Sequence, residues 1–155
     1  MNTVPSPAVL ITRRLEFDAG HRIPHHDGQC RHLHGHRYAI ELTVAGDVLN
    51  TPGKADDGMV IDFGDIKRLA KDHLVDLWDH AFLVAKEDEA LVAFLATMPN
   101  HKTVVMDRVP TVENLVHAAF AILEPIFAEA FQGRLRLASI RLYETPNCWA
   151  DISQP

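Results

Sequence analysis

The residues best able to do chemistry cluster in one stretch, Cys30-Arg-His-Leu-His34-Gly-His36, with His21 upstream. Their phase matters more than their number. Residues 38–44 alternate as a half-buried strand, with Tyr38, Ile40, Leu42 and Val44 on the apolar face. Counting back by twos along that face reaches His36 and then His34. Upstream, Ile11, Leu15 and Phe17 share a parity that continues through Ala19 to His21. Two strands would therefore each bring histidine to the end of an inward face. Buried imidazoles need partners, because an unpaired polar group in an apolar setting costs a few kcal/mol. A zinc ion held by His21, His34 and His36, with its fourth position open, would satisfy them and leave room for a reaction. A single histidine on an apolar face is ordinarily a hydrogen-bonded core residue, and His-x-His alone is a modest signal. The third histidine on the same face is what favours a metal. His25, His26 and His32 fall in the intervening loop and receive no ligand role. A surface tract that gathers metal adventitiously is the remaining alternative, and the strand phase argues against it.

Cys30 lies in the glycine-containing loop beside this group. A free thiol is mostly protonated at neutral pH, and a nearby cation raises the thiolate fraction, making the cysteine a usable base or nucleophile. The alternative is a fourth zinc ligand closing a structural site, and spacing does not separate the two. Asp79-His80 could form a proton relay if the carboxylate orients the ring. By spacing alone the plainer reading is stronger: a histidine at a helix C-terminus, favoured by the dipole. Glu144 shares the parity of Ile140 and Leu142 and would point inward, able to grip an amidine-like group or to pair with a nearby arginine. Cys148 and Trp149 read as packing residues.

The elements that must position these groups can be read in outline. Residues 9–17 form a first strand, and 38–44 a second, antiparallel if the connection is simple. Asn50 to Gly58 is turn chemistry, and 59–61 a short extended piece. A helix follows, with Ile66, Leu69, Ala70, His73, Leu74 and Leu77 on one stripe and Asp62 or Asp65 as cap. Leu91, Phe94, Leu95 and Met98 suggest a shorter helix, and 103–106 a brief strand. A long helix begins after Pro110, with Thr111 as N-cap and Glu113 near its positive end. Its stripe is Leu115, Ala119, Ile122, Leu123, Ile126 and Ala130, and Pro125 predicts a kink or break. Residues 135–144 form a final strand whose phase slips near Ala138-Ser139, as at a bulge. This order of elements is α+β.

The chain has 155 residues, 47% of them hydrophobic, and a formal charge of -6. That length fits a single domain over 8–155 behind a loose tail at 1–7. The charge disfavours a general nucleic-acid partner, while an anionic small molecule needs only a locally basic pocket. No apolar run approaches a membrane span and no secretory leader is evident, so a cytoplasmic location with two free thiols is expected.

Taken together, these residues resemble the family of 6-pyruvoyl-tetrahydropterin and 6-carboxytetrahydropterin synthases. The pieces occur in order over about 15–150: Phe17-Asp-Ala-Gly-His21, Cys30-x-x-x-His34-Gly-His36, Gly58-Met-Val-Ile-Asp-Phe63, Asp79-His80, Pro110-Thr-Val-Glu-Asn114 and Glu144-Thr145. The resemblance implies zinc at His21, His34 and His36, a catalytic thiol at Cys30, and a proton-transfer pair at Asp79 and His80. It implies a pterin anchor at Glu144, with Thr111 and Glu113 near the pterin pocket. The implied architecture is the tunnelling fold (T-fold), a four-stranded antiparallel sheet backed by two long helices on one face, assembled as a homohexamer of two trimers with sites between subunits.

The three-residue gap between Cys30 and His34 is similar to the carboxy-forming enzymes of 7-deazaguanine and queuosine biosynthesis. These act on 7,8-dihydroneopterin triphosphate; the pyruvoyl-forming relatives tend to carry a longer insertion there. Leu83-Val84, where the family often has Leu-Asn, and the long 85–108 segment depart from the pattern. The rival readings are the pyruvoyl-forming sibling, a non-catalytic zinc or pterin binder, and a metal-independent aldolase of the same fold, which the three inward histidines disfavour.

Overall fold

A computed structural model describes residues 7–155, so all but the last residue of the expected 1–7 tail lies outside the described residues. Among the described residues, six strands form one mixed sheet: β1 (Val9–His21), β2 (His34–Gly46), β3 (Ala81–Ala85), β4 (Thr103–Met106), β5 (Arg136–Thr145) and β6 (Cys148–Ser153). Their order is β4-β3-β1-β2-β5-β6. The pairs β1–β2, β2–β5 and β5–β6 are antiparallel, whereas β1–β3 and β3–β4 are parallel. The expected four-stranded antiparallel sheet is thus one part of a larger mixed sheet. The addition was hidden because β3 is a short apolar run without period-2 alternation, the mark of a strand buried on both faces.

The first two strands extend further than expected, to His21 and back to His34. Glycines Gly20 and Gly35 carry no hydrophobic signal, yet they sit directly opposite each other in the ladder. Gly20 has a packing reason: a Cβ there would lie 2.6 Å from the Phe82 ring and 3.3 Å from the His34 carbonyl oxygen. Residues 59–61 form no strand; 60 and 61 are bends. The slip near Ala138 is a bulge, since Thr43 pairs Ser139 while Val44 pairs Leu137. β6 was not foreseen, so 135–144 is not the final strand. Trp149 and Cys148, expected to pack, are exposed.

Helix α1 runs continuously over 63–78: an α-helical stretch Phe63–Ala70, a wide π turn Lys71–Val75 and a last turn Asp76–Trp78. Asp62 caps it, accepting from the Gly64 N–H at 2.6 Å. The wide turn adds one residue and rotates the helix, so Val75 and Trp78 are buried where the α period pointed to His73 and Leu77. Helix α2 spans Glu89–Ala96, and α3 spans Val112–Ala130 without a break. Pro125 is tolerated on the exposed side of the helix, one turn after the exposed Ala121, whose carbonyl loses its intrahelical donor to the proline.

Helices α1 and α3 pack Ile66, Leu74, Trp78, Leu115, Leu123 and Phe127 onto the sheet face carrying Phe17, Tyr38, Ile40 and Leu142. Helix α2 belongs elsewhere: Leu91 and Leu95 cluster with Val84 and Phe82, alternate in β3 to Ala81 and Leu83 of the main core. It therefore covers the opposite face.

Candidate metal centre

The inward parity of β1 and β2 carries past the core and ends in histidine on both strands. His21 pairs with His34, and His36 sits opposite Ala19, whose small side chain leaves room beside it. The three rings gather with centroids 4.6, 5.1 and 4.9 Å apart, and one ligand atom from each lies within 4.8 Å of the others. Below them Tyr38 stacks on Phe17, closing the cluster off from the core.

The hydrogen bonds determine which nitrogens face inward. His21 donates from Nδ1 to the Pro110 carbonyl at 2.8 Å, and His34 donates from Nδ1 to the His32 carbonyl at 2.7 Å. A carbonyl only accepts, so both rings carry the proton on Nδ1 and turn an Nε2 lone pair inward. Those two Nε2 atoms are 3.0 Å apart, close to the roughly 3.3 Å of two nitrogens on one tetrahedral ion. The third ring supplies a buried Nε2, that of His36, with no hydrogen-bond partner, 3.4 Å from Glu144 Oε1.

Burial pushes His21 down to about 4, with the neighbouring His34 and His36 adding to the effect and the Pro110 hydrogen bond opposing it. Burial also lowers His36, against the pull of Glu144. Both rings are therefore neutral at pH 7, the form that binds metal. Two lone pairs facing each other and a third buried nitrogen without a partner suit a divalent cation, and the donor set fits zinc.

Glu144 reaches this group through a second irregularity. Tyr143 pairs Trp149 and Thr145 pairs Cys148, so Glu144 is the extra residue of a bulge, which re-aims its side chain. It faces His36 rather than an arginine. Cys30 sits in a short 3₁₀ turn, Gln29–Arg31, partly buried, and its carbonyl accepts from the Ile23 N–H at 2.8 Å. Cys30 is not a member of the close three-histidine group.

Asp79 and His80 do make the side-chain contact that sequence neighbours seldom make. His80 adopts a left-handed backbone, φ 59°, and its Nδ1 lies 3.0 Å from Asp79 Oδ2. β1 holds the pair from the side: the Asp18 N–H donates to Asp79 Oδ1 at 2.9 Å, and the His80 N–H to the Asp18 carbonyl at 2.6 Å. Burial raises the Asp79 carboxyl most. The Asp18 hydrogen bond, His80 and the Lys102 charge together outweigh it and hold the group below the usual carboxylate range. A cleft of about 440 Å³ opens here, lined by residues that include His80, Arg37, Gly20, Gly35 and His36. Within one chain, His80 stands in a separate group from the three histidines. Thr111 caps α3, accepting from the Asn114 N–H at 3.3 Å, directly after the Pro110 that holds His21. Glu113 is exposed in the first turn of α3.

The sequence model of the 6-pyruvoyl tetrahydropterin synthases matches residues 10–155. The chain belongs to this pterin-synthase family. A 6-carboxy-5,6,7,8-tetrahydropterin synthase of Rickettsia conorii is 39% identical over 146 residues, 93% of this chain and 99% of that relative. One of Haemophilus influenzae is 33% identical over 146 residues, 93% and 98% of the two chains. Among solved structures, the Caenorhabditis elegans 6-pyruvoyl tetrahydropterin synthase matches with a TM-score of 0.65 and 24% identity, covering 96% of this chain and 97% of that one. The Plasmodium falciparum enzyme matches with a TM-score of 0.69 and 18% identity, over 96% and 99%. These structural likenesses establish the T-fold.

Two partners of the histidine group carry no sign of that role in the sequence. Tyr38, whose hydroxyl lies 3.3 Å from His21 Nδ1, reads from sequence as a core residue, although it is next on the parity of His34 and His36. Pro110 contributes a backbone carbonyl, for which no side-chain signal exists.

Proposed function

We propose that the protein is a zinc-dependent 6-carboxy-5,6,7,8-tetrahydropterin synthase, a carbon–carbon lyase whose product enters 7-deazaguanine and queuosine biosynthesis. It converts 7,8-dihydroneopterin triphosphate, with uptake of water, into 6-carboxytetrahydropterin, acetaldehyde and triphosphate. The observation that carries this reading is the three-histidine group with Glu144 at its edge. The names of the relatives at 33–39% identity support the carboxy product.

His21, His34 and His36 would hold the ion. When bound, zinc supplies a Lewis acid that stabilises negative charge developing on side-chain oxygens of the substrate. Glu144 accepts two hydrogen bonds from the amidine-like edge of the pterin and fixes the ring, with Thr111 and Glu113 contributing to the pocket from the start of α3. Cys30, as thiolate, removes a proton from the substrate side chain. His80, oriented by Asp79, returns protons as the side chain rearranges and is cleaved.

In this reading 8–155 acts as one catalytic domain in the cytoplasm, and two trimers form a homohexamer that brings His80 to a neighbour's zinc. Two features support the assembly. β1 pairs β3 only over Ala19–His21, leaving most of its outer edge open, and β6 ends the sheet on the other side. No helix among the described residues is long and apolar enough to cross a membrane.

The test is incubation of zinc-loaded protein with 7,8-dihydroneopterin triphosphate and mass spectrometry of the pterin. A carboxy product with acetaldehyde is expected. A pyruvoyl product would instead establish the sibling reaction named by the family description, and unchanged substrate would leave a binding role.

A further inference from the structure

We propose that Lys102 is a positioning residue for the Asp79–His80 pair. Its Nζ donates to the carbonyls of Asp76 and Asp79, each at 2.6 Å. The first is a free carbonyl at the end of α1, where a cation is favourable. The second belongs to the peptide that joins Asp79 to His80. The orientation of that peptide plane sets φ at His80, the left-handed 59° that turns the ring back onto the carboxylate. Lys102 is itself anchored, because its own carbonyl accepts from the Phe82 N–H at 2.9 Å, just before β4.

The pair is thus gripped twice. β1 holds it through the backbone of Asp18, whose carboxylate is held in turn by Arg37 at 3.0 and 3.1 Å. Lys102 holds it from the other side, out of the long 85–108 segment that has no other part in the site. The Lys102 charge also favours the Asp79 carboxylate, which keeps an acceptor facing His80. Since a carboxylate only accepts, His80, which lines the cleft, carries its proton on Nδ1 and keeps a lone pair on Nε2. Without Lys102 the peptide can turn over, the left-handed residue relaxes, and the ring loses its fixed tautomer.

The mechanistic part of this inference rests on the proposed lyase reading, so the test has a readout that does not depend on turnover. Ring ¹⁵N shifts of His80 are measured on zinc-loaded protein at about pH 8, where an ordinary imidazole is neutral. Lys102→Met, Lys102→Gln and Lys102→Arg are compared with wild type, and His80→Ala assigns the signal. Wild type and Lys102→Arg are expected to show the Nδ1–H tautomer, and Lys102→Met a shift toward Nε2–H. In parallel, kcat of Lys102→Met should fall about tenfold with KM within about twofold, a fraction of the value of a general acid–base group. Retention of the wild-type tautomer in folded Lys102→Met or Lys102→Gln overturns the proposal. So does loss of fold in both, which would make Lys102 a residue of the fold alone. Absence of pterin turnover in wild type defeats the lyase reading and leaves the tautomer result to decide Lys102.

Discussion

His21 donates from Nδ1 to the carbonyl of Pro110 at 2.8 Å, joining the end of β1 to the residue that precedes the α3 cap. The bond fixes the tautomer of a buried ring, so Nε2 is presented as a lone pair before any ion arrives. It also ties the entry to α3, where Thr111 follows as cap, to the three histidines.

The metal centre should therefore need all three rings. One zinc per chain is expected for wild type by elemental analysis. His36→Ala should bind at least about 100-fold more weakly, more than the loss of an outer-shell partner costs. Full zinc content in that variant would remove His36 from the ligand set.

Cys30 lies outside the close group, which separates its two roles. Cys30→Ala should retain stoichiometric zinc while turnover falls below detection in the mass-spectrometric assay. Loss of zinc in this variant would make the thiol a ligand and the site a closed structural one.

Glu144→Gln keeps the bulge and the volume but removes the charge. A paired carboxylate–amidine contact is worth about 3 kcal/mol, so kcat/KM for the pterin substrate should drop roughly 100-fold with zinc unchanged. An unaltered kcat/KM would place the pterin elsewhere.

Away from the centre, Arg22 donates to both oxygens of the buried Asp88 at 2.6 Å. Asp88→Asn leaves Arg22 without a counter-charge and should cost about 3 kcal/mol in urea unfolding at neutral pH. Its pH dependence has a definite sign. The Arg22 hydrogen bond holds the Asp88 carboxyl below its ordinary value, against the opposing effect of burial. The contribution is fully present above the ordinary carboxylate value and is lost as pH falls through the lowered one. The gap between wild type and Asp88→Asn should therefore close in acid. A gap that stays constant down to unfolding would show that ionisation of Asp88 is not its source.

Gly20→Ala places a Cβ 2.6 Å from the Phe82 ring and should destabilise by about 2 kcal/mol. Combining it with Phe82→Leu should recover part of that loss relative to the sum of the single variants. Strict additivity would show that the two positions do not compete for space.

The three histidines were legible because strand period is 2 wherever one face is buried: parity from Phe17 and Tyr38 leads straight to them. The bulge at Ala138 was legible for the same reason, as a slip in that period. What stayed hidden depends on contacts between distant segments. β3 has no alternation to read, and β6 has few inward residues, Ala150 and Ile152. After Ala70 the α1 stripe holds at Leu74 but fails at His73 and Leu77, because a wide turn is invisible to a 3.6-residue count. Asp79 and His80 meet only because Asp18 and Lys102, far away in sequence, hold their backbone.

That wide turn also decides from where the position of Asp79 is measured. Upstream of it the helix is seated by Ile66 and Leu69, at its end by Val75, and beyond it by Trp78. The two seats are offset by one residue, so the helix cannot ratchet along the sheet by a turn without unseating one of them. Asp79 therefore takes its place from Trp78 in the core, not from where the helix begins. The exposed 52–58 turn can therefore be lengthened or trimmed while the Asp79–His80 contact at the far end of the helix stays in place.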